Sequence, residues 1–181
     1  MEIAVDKKKF TFTDSYVISN GDKVIYTASQ EALSLMPAIN LFRDVKERPI
    51  MIIRKNLTMY EYSYDITRWD NNVVEFRPGE GGHVCYSEGD KYNLFMNKGR
   101  KYSIYKNDIQ VAWWDKNKTS YFGANHYLIT TDADAQIELI ISFCLIVDNF
   151  SKDKGGGGII ATDFGHFGDE SRPFDPNWKP K

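Results

Sequence analysis

Polar and apolar positions alternate with a period of two through most of the chain before residue 130, the spacing of strands with one face turned to a core. In "TMYEYSYDI", Tyr60, Tyr62, Tyr64 and Ile66 alternate with Glu61, Ser63 and Asp65. In "SYVISNGDKVIYTA", Asn20-Gly21 stands between two β-branched and aromatic runs, a strong hairpin signal. "KYSIYKNDIQVAWWD" repeats that layout with Asn107-Asp108 at the turn. "INLFRDVKERPIMIIRK" follows it more loosely, turning around Asp44 to Arg48, with Pro49 opening the next strand. Further runs in "NVVEFRP", "GHVCYS", "KYNLFMN" and "YFGANHYLI" are separated by Gly-rich or charged turns. About ten or more short strands at hairpin spacing predict a barrel or a sandwich. The hairpins are too unevenly spaced for a solenoid or propeller.

The pattern breaks at "IELIISFCLIVDNF", residues 137 to 150. The "TTDADAQ" before it reads as a helix start, with Thr131 as cap and Asp134 three positions on, so a helix is predicted over about 132–150. Asp134, Glu138 and Ser142 recur every four positions as one narrow polar stripe, expected to meet water or polar partners. Leu139, Ile140, Ile141, Phe143, Cys144, Leu145, Ile146 and Val147 cover the remaining surface. A helix apolar nearly all round lies in a membrane or is surrounded by protein. A bilayer needs about 20 predominantly apolar residues. This run is shorter and carries Glu138 and Asp148 near its ends, so it predicts a buried core element and no transmembrane segment. A single sheet covers one side of such a helix. A closed antiparallel barrel covers every side and removes its own edges.

Hairpins such as "YVISNGDKVIY" and "KYSIYKNDIQVAWW", then "DADAQ" and "IELIISFCLIVDNF", resemble the tubby C-terminal-like superfamily. Within it the chain is most similar to the LURP-one-related proteins, with phospholipid scramblases more distant; the resemblance covers roughly Phe10 to Phe150. It implies a mainly β fold, a closed antiparallel β-barrel of about twelve strands wrapped around a central hydrophobic C-terminal α-helix. The expected organisation is a barrel with central helix over 1–154 and a Gly-rich linker with tail over 155–181. "SKDKGGGG" and the residues after it depart from the family pattern. Ile159 to Phe164 suit one extra strand or a cover for a barrel mouth, and Phe174 and Trp178 suit docking on the surface, whereas Pro173, Pro176 and Pro180 argue against regular structure there.

Composition adds exclusions. The chain has 181 residues, 42% of them hydrophobic, and a formal net charge of −2. At this size roughly 70% of the unfolded surface can be buried, so no staples are needed. A charge of −2 is no footprint for nucleic acid. "MEIAVDKKKFTF" lacks an apolar signal region, so a cytoplasmic protein is expected, with Cys85 and Cys144 reduced and the sequons at Asn56 and Asn117 coincidental.

Candidate chemistry is sparse. His166, Asp169 and Glu170 carry metal-capable groups, but no second cluster completes a site, and neither metal nor cofactor is expected. His83 and Cys85 invite a nucleophile–base reading, yet two residues apart on a strand they merely share a face. "GEGG" before His83 lacks the helix and Lys of a phosphate loop, and Trp113-Trp114 place one ring on each side of a strand. Arg54-Lys55 and Arg100-Lys101 are short basic pairs at strand ends, the candidates for phosphate, against which stands the reading as solvated turn charge. The expectation is a non-enzymatic binding or scaffold module; the resemblance points it to phospholipid headgroups or a protein partner. The alternative is a small-ligand carrier or enzyme on a lipocalin-like barrel, which needs a hollow interior.

Overall fold

The computed structural model describes residues 1–9, 13–31, 37–44, 47–57, 62–79, 82–97, 101–115, 126–150, 172, 174–175 and 177–181. Twelve strands form one closed antiparallel barrel: β1 (Glu2–Lys9), β2 (Asp14–Asn20), β3 (Lys23–Gln30), β4 (Ile39–Phe42), β5 (Met51–Leu57), β6 (Tyr62–Arg68), β7 (Val73–Gly79), β8 (Gly82–Ser87), β9 (Asp90–Asn97), β10 (Lys101–Lys106), β11 (Ile109–Asp115) and β12 (His126–Thr131). Each pairs with its sequence neighbour, and β1 closes the ring against β12. The helix α1 (Ile137–Phe150) follows.

The turns explain the register. Asn107 and Asp108 both take left-handed backbone, φ 46° and 66°, the two-residue turn whose twist matches the flanking strands. Glu88 and Gly89 do the same at φ 54° and 85°. These tight turns, with those at 21–22 and 69–72, lie at the barrel end where α1 enters.

The period-two pattern becomes an inside and an outside. Ile3, Ile18, Leu41, Ile53 and Ile66, each under 2% exposed, come from five different strands and join the side chains of α1 in one core. Successive helix residues point about 100° apart, so protein must lie on every side for Ile140, Ile141, Phe143, Leu145 and Ile146 all to be fully buried, as they are. Phe143 stacks on Phe76 at 4.8 Å, and the Tyr26 hydroxyl donates to Glu138 at 2.7 Å. The helix occupies the lumen.

Two expectations about α1 need correction. Its first residue is Ile137. Thr131 is no cap, because it ends β12, pairs with Ala112 and donates its hydroxyl to the Val111 carbonyl at 3.1 Å. Nor does the polar stripe reach water along its length. Ser142 is fully buried, its hydroxyl turned back to the Glu138 carbonyl at 2.8 Å with the Met51 sulfur 3.2 Å away. A serine can lie in an apolar environment because its own helix satisfies it.

A buried polar cluster fixes the far end of the helix. The Lys7 ammonium donates to Asp148 Oδ2 and lies 3.3 Å from Asp14 Oδ2. The Tyr16 hydroxyl donates to Asp148 Oδ2 at 2.7 Å, and the Tyr127 hydroxyl to Oδ1. Lys7, Tyr16 and Tyr127 come from β1, β2 and β12, so one carboxylate ties the last turn of α1 to the three strands that close the ring. Burial alone would oppose ionisation of Asp148, but the Lys7 charge and the three hydrogen bonds outweigh it and hold the carboxyl below the usual carboxylate range.

A carboxylate at either position 141 or position 142 is enclosed by the barrel. Ile141→Asp and Ser142→Asp should each cost several kcal/mol. Comparable urea midpoints for the two variants, both far below the unaltered chain, support the enclosure; a mild Ser142→Asp contradicts it. For the ion cluster, Asp148→Ala leaves the Lys7 ammonium with Asp14 at 3.3 Å as its remaining acidic partner, takes the Asp148 acceptor from the Tyr16 and Tyr127 hydroxyls, and should cost about 3 kcal/mol. Lys7→Met combined with Asp148→Leu should recover a large part of that loss in a double-mutant cycle by denaturant melting. An additive cycle would mean the pair is not coupled.

Candidate functional site on the outer wall

Alternation along β9, β10 and β11 should leave every second residue facing water. Inward go Leu94, Tyr102, Ile104, Ala112 and Trp114. Outward go Phe95, Asn97, Ser103, Tyr105 and Gln110, yet these five are only 8%, 4%, 0%, 6% and 6% exposed. Their cover is the C-terminal segment, residues 172–181, which crosses the wall diagonally from β9 to the loop after β12.

Three side chains of that segment seat in three different environments. The Arg172 guanidinium lies 3.8 Å from the Tyr105 ring centroid and 5.7 Å from that of Phe95, while its Nη2 donates to the Asp108 carbonyl at 3.2 Å. An arginine face on aromatic rings with an acidic edge partner combines cation–π attraction with charge-assisted bonding. Burial pushes the Tyr105 phenol up against the pull of the Arg172 charge. Phe174 meets Trp113 edge to face at 5.2 Å and lies under the Lys101 ammonium at 4.6 Å. The Trp178 indole N–H donates to the Gln110 carbonyl at 3.1 Å.

The backbone is held as well. Asn97 Nδ2 donates to the Arg172 carbonyl at 2.8 Å, with Ser103 Oγ donating to Asn97 Oδ1 at 2.9 Å. The Lys181 amide donates to Asp132 at 2.6 Å. The segment turns at Asp175, whose carbonyl receives the Trp178 amide at 3.4 Å and whose Oδ1 receives the Asn177 amide at 2.8 Å, so the wall holds a turned chain that presents a cation and two aromatic rings.

A sequence model of the LURP-one-related family matches residues 1–148. The chain belongs to this family. No curated protein and no solved structure matches it. The LURP-one-related match contains all twelve strands and α1 as far as Asp148, and it begins with β1, ahead of the Phe10 start expected from the hairpins. Residues 172–181 lie outside it, so the family region supplies the wall and a segment beyond that region fills it.

The sequence candidates fall elsewhere or take other parts. Arg54 points out from β5, its side chain half exposed and 4.0 Å from Glu31. Lys55, the next residue of the same strand, points to the opposite face, so the pair does not converge on one phosphate. Lys101 belongs to the outer wall, where its ammonium sits over Phe174; Arg100 is outside the described residues. Four strands separate β5 from β10, so the two basic pairs do not form one site. His166, Asp169 and Glu170 are outside the described residues, and among those described no group of three or more His, Cys, Asp or Glu is placed to hold a metal ion. No helix of the described residues is long and apolar enough to cross a membrane.

His83 and Cys85 do share the inner face of β8. The His83 ring stacks on Phe76 at 4.9 Å. Burial lowers its pKa to about 4 and pushes the Cys85 thiol up to about 12, which suits neither a general base nor a thiolate nucleophile.

Phe174 and Trp178 dock on the surface as the sequence suggests, with Trp113 turned outward to meet Phe174, whereas Phe95, Tyr105, Gln110 and Arg172 are not singled out by sequence, although a signal is present. A half-covered strand alternates, whereas Leu94-Phe95 and Trp113-Trp114 put apolar side chains on both faces, the pattern of strands covered twice.

The lowered pKa of His83 sets a pH window. The folded state resists protonation that the unfolded chain accepts from pH 6.5, so stability falls as pH drops below 6.5 and the loss saturates below about 4. His83→Phe should flatten that part of the stability profile, leaving the acid loss caused by Asp148. Denaturant melts of both proteins at pH 7 and pH 4.5 check it; equal slopes would show that His83 is solvated in the folded state.

Proposed function

We propose that this LURP-one-related chain is a non-enzymatic binding module that engages a protein partner through its outer wall. The observation that carries the reading is the division of labour in the barrel: α1 fills the lumen, and the outer wall of β9–β11 holds residues of the C-terminal segment in side-chain-specific seats. A carrier on the lipocalin pattern needs an interior to load, and this interior is taken. The resemblance to tubby-like and scramblase proteins brings in phospholipid headgroups as the competing ligand. Against it stand the opposed directions of Arg54 and Lys55 and the net charge of −2, which gives no general attraction to an anionic surface. The same reading places the protein in the cytoplasm, where Cys85 and Cys144 stay reduced.

Vesicle flotation separates the two ligands. The purified full chain should stay unbound to phosphatidylserine vesicles with or without phosphoinositide, at low and at high salt. Tight flotation that weakens steeply with salt and drops on Arg54→Ala would replace the protein-partner reading with a lipid one.

A further inference from the structure

The described residues of the segment, 172, 174–175 and 177–181, supply no strand to the barrel and no side chain to its core cluster. The ring closes through β1 and β12, and the core is complete without it. Its contacts lie on the outer wall, and they are those of a bound peptide: a carbonyl received by Asn97, a guanidinium on Tyr105, a ring against Trp113 and an indole N–H on a strand carbonyl. Between Phe150 and Arg172 lie 171 − 150 = 21 residues, including Gly155–Gly158. Connections longer than about 12–15 residues in compact domains are usually functional loops or linkers.

The fit also leaves a vacant donor. Gln110 is 6% exposed and sits between Tyr105 and Trp178; its Oε1 accepts from the Tyr105 hydroxyl at 3.0 Å, but its Nε2 has no hydrogen-bond partner among the described residues. A buried amide donor left unpaired weakens the complex that buries it. The resident segment is thus a good occupant with a defect at one position, which an occupant bringing a carbonyl or carboxylate oxygen to Gln110 Nε2 would repair.

We propose that the outer wall of β9–β11 is a peptide-docking groove for a partner protein. Its ligand is a segment carrying an arginine, an aromatic residue two positions on and, after a turn, a tryptophan four positions after that, and residues 172–181 are a resident occupant that the partner displaces. The arginine seat is Tyr105, Phe95 and Asp108; the aromatic seat is Trp113 and Lys101; the Gln110 carbonyl takes the indole. Tethering gives the resident segment an effective concentration on the order of millimolar, so a partner competes only if it binds the groove better or is itself concentrated. The unpaired Gln110 Nε2 provides the means for binding better. The proposal rests on the outer-wall reading above and specifies its partner.

The probe is a fluorescent synthetic peptide with the sequence of residues 171–181, titrated into the full chain and into a full-chain variant with Arg172→Ala, Phe174→Ala and Trp178→Ala. Emptying the groove should tighten peptide binding at least tenfold relative to the unaltered chain, and a peptide bearing the same three alanines should not bind. A folded variant that ignores the peptide overturns the proposal. Native-state exchange on the unaltered chain covers the case in which the variant does not fold. The Trp178 indole proton should exchange at least a hundredfold faster than the amides of β10, because the segment opens while the barrel stays closed. Exchange of both at one rate overturns the proposal, since the segment would then open only with the whole barrel. Neither measurement involves lipid, so failure here leaves the outer-wall reading to be judged by flotation.

Discussion

A helix of 14 residues with apolar side chains on nearly every side has no stable surface position, and enclosing it requires the sheet to close. The other features of this molecule follow from that enclosure. A closed sheet needs enough strands to leave room for a helix, here twelve, and it needs its first and last strands to pair. It also dictates that one face of every strand is apolar while the other is free for different uses. Since α1 is packed through its whole circumference, the lumen is a core and not a cavity.

Enclosure raises a difficulty at the helix ends, where polar groups must go below the rim. At the entry end the difficulty is small, because Glu138 is partly exposed and meets Tyr26 and Arg43 at 2.7 Å and 3.3 Å. At the exit end Asp148 is only 1% exposed, and Lys7, Tyr16 and Tyr127 converge on it. Buried ion pairs contribute little net stability against an apolar replacement, but they penalise any arrangement that separates the partners. Here the partners are β1, β2, β12 and the last turn of α1, so the cluster disfavours a barrel closed in another register. A cation near the helix C-terminus is also favoured by the backbone dipole.

With the interior filled, recognition is left to the outer wall. The wall of β9–β11 is unusual in burying asparagine, serine and glutamine beside tyrosine and phenylalanine on a face that alternation assigns to solvent. That mixture of aromatic faces and backbone-seeking amides suits a peptide, with rings for side chains and amides for carbonyls. The family match ends at residue 148 while the occupant begins at Arg172, so the barrel and nearly all of α1 belong to the family region and the segment seated on the wall does not.

The period-two runs, the turn pairs such as Asn107-Asp108 and the all-round apolar helix were sufficient to predict a closed barrel around a helix, because all three are local signals with one joint solution. The strand β1 lies ahead of the Phe10 start that the hairpins suggest, although Ile3 and Val5 alternate with Glu2 and Asp6 in "EIAVDKKK"; that Lys7 continues the inward face is not legible, because it depends on Asp148, 141 positions later, to receive it. The burial of Ser142 was hidden likewise, for a serine satisfied by its own helix has the same periodicity as one that meets water. The sequence offers the basic pairs as phosphate ligands, whereas strand geometry sends Arg54 and Lys55 to opposite faces and puts Lys101 over Phe174. The sequence by itself determined which segments are strands and that the helix must be enclosed, because those depend on neighbours a few positions apart. Only the tertiary structure decided that Arg172, Phe174 and Trp178 lie on the outer wall, because that depends on side chains from four separate segments meeting at a surface no local pattern describes.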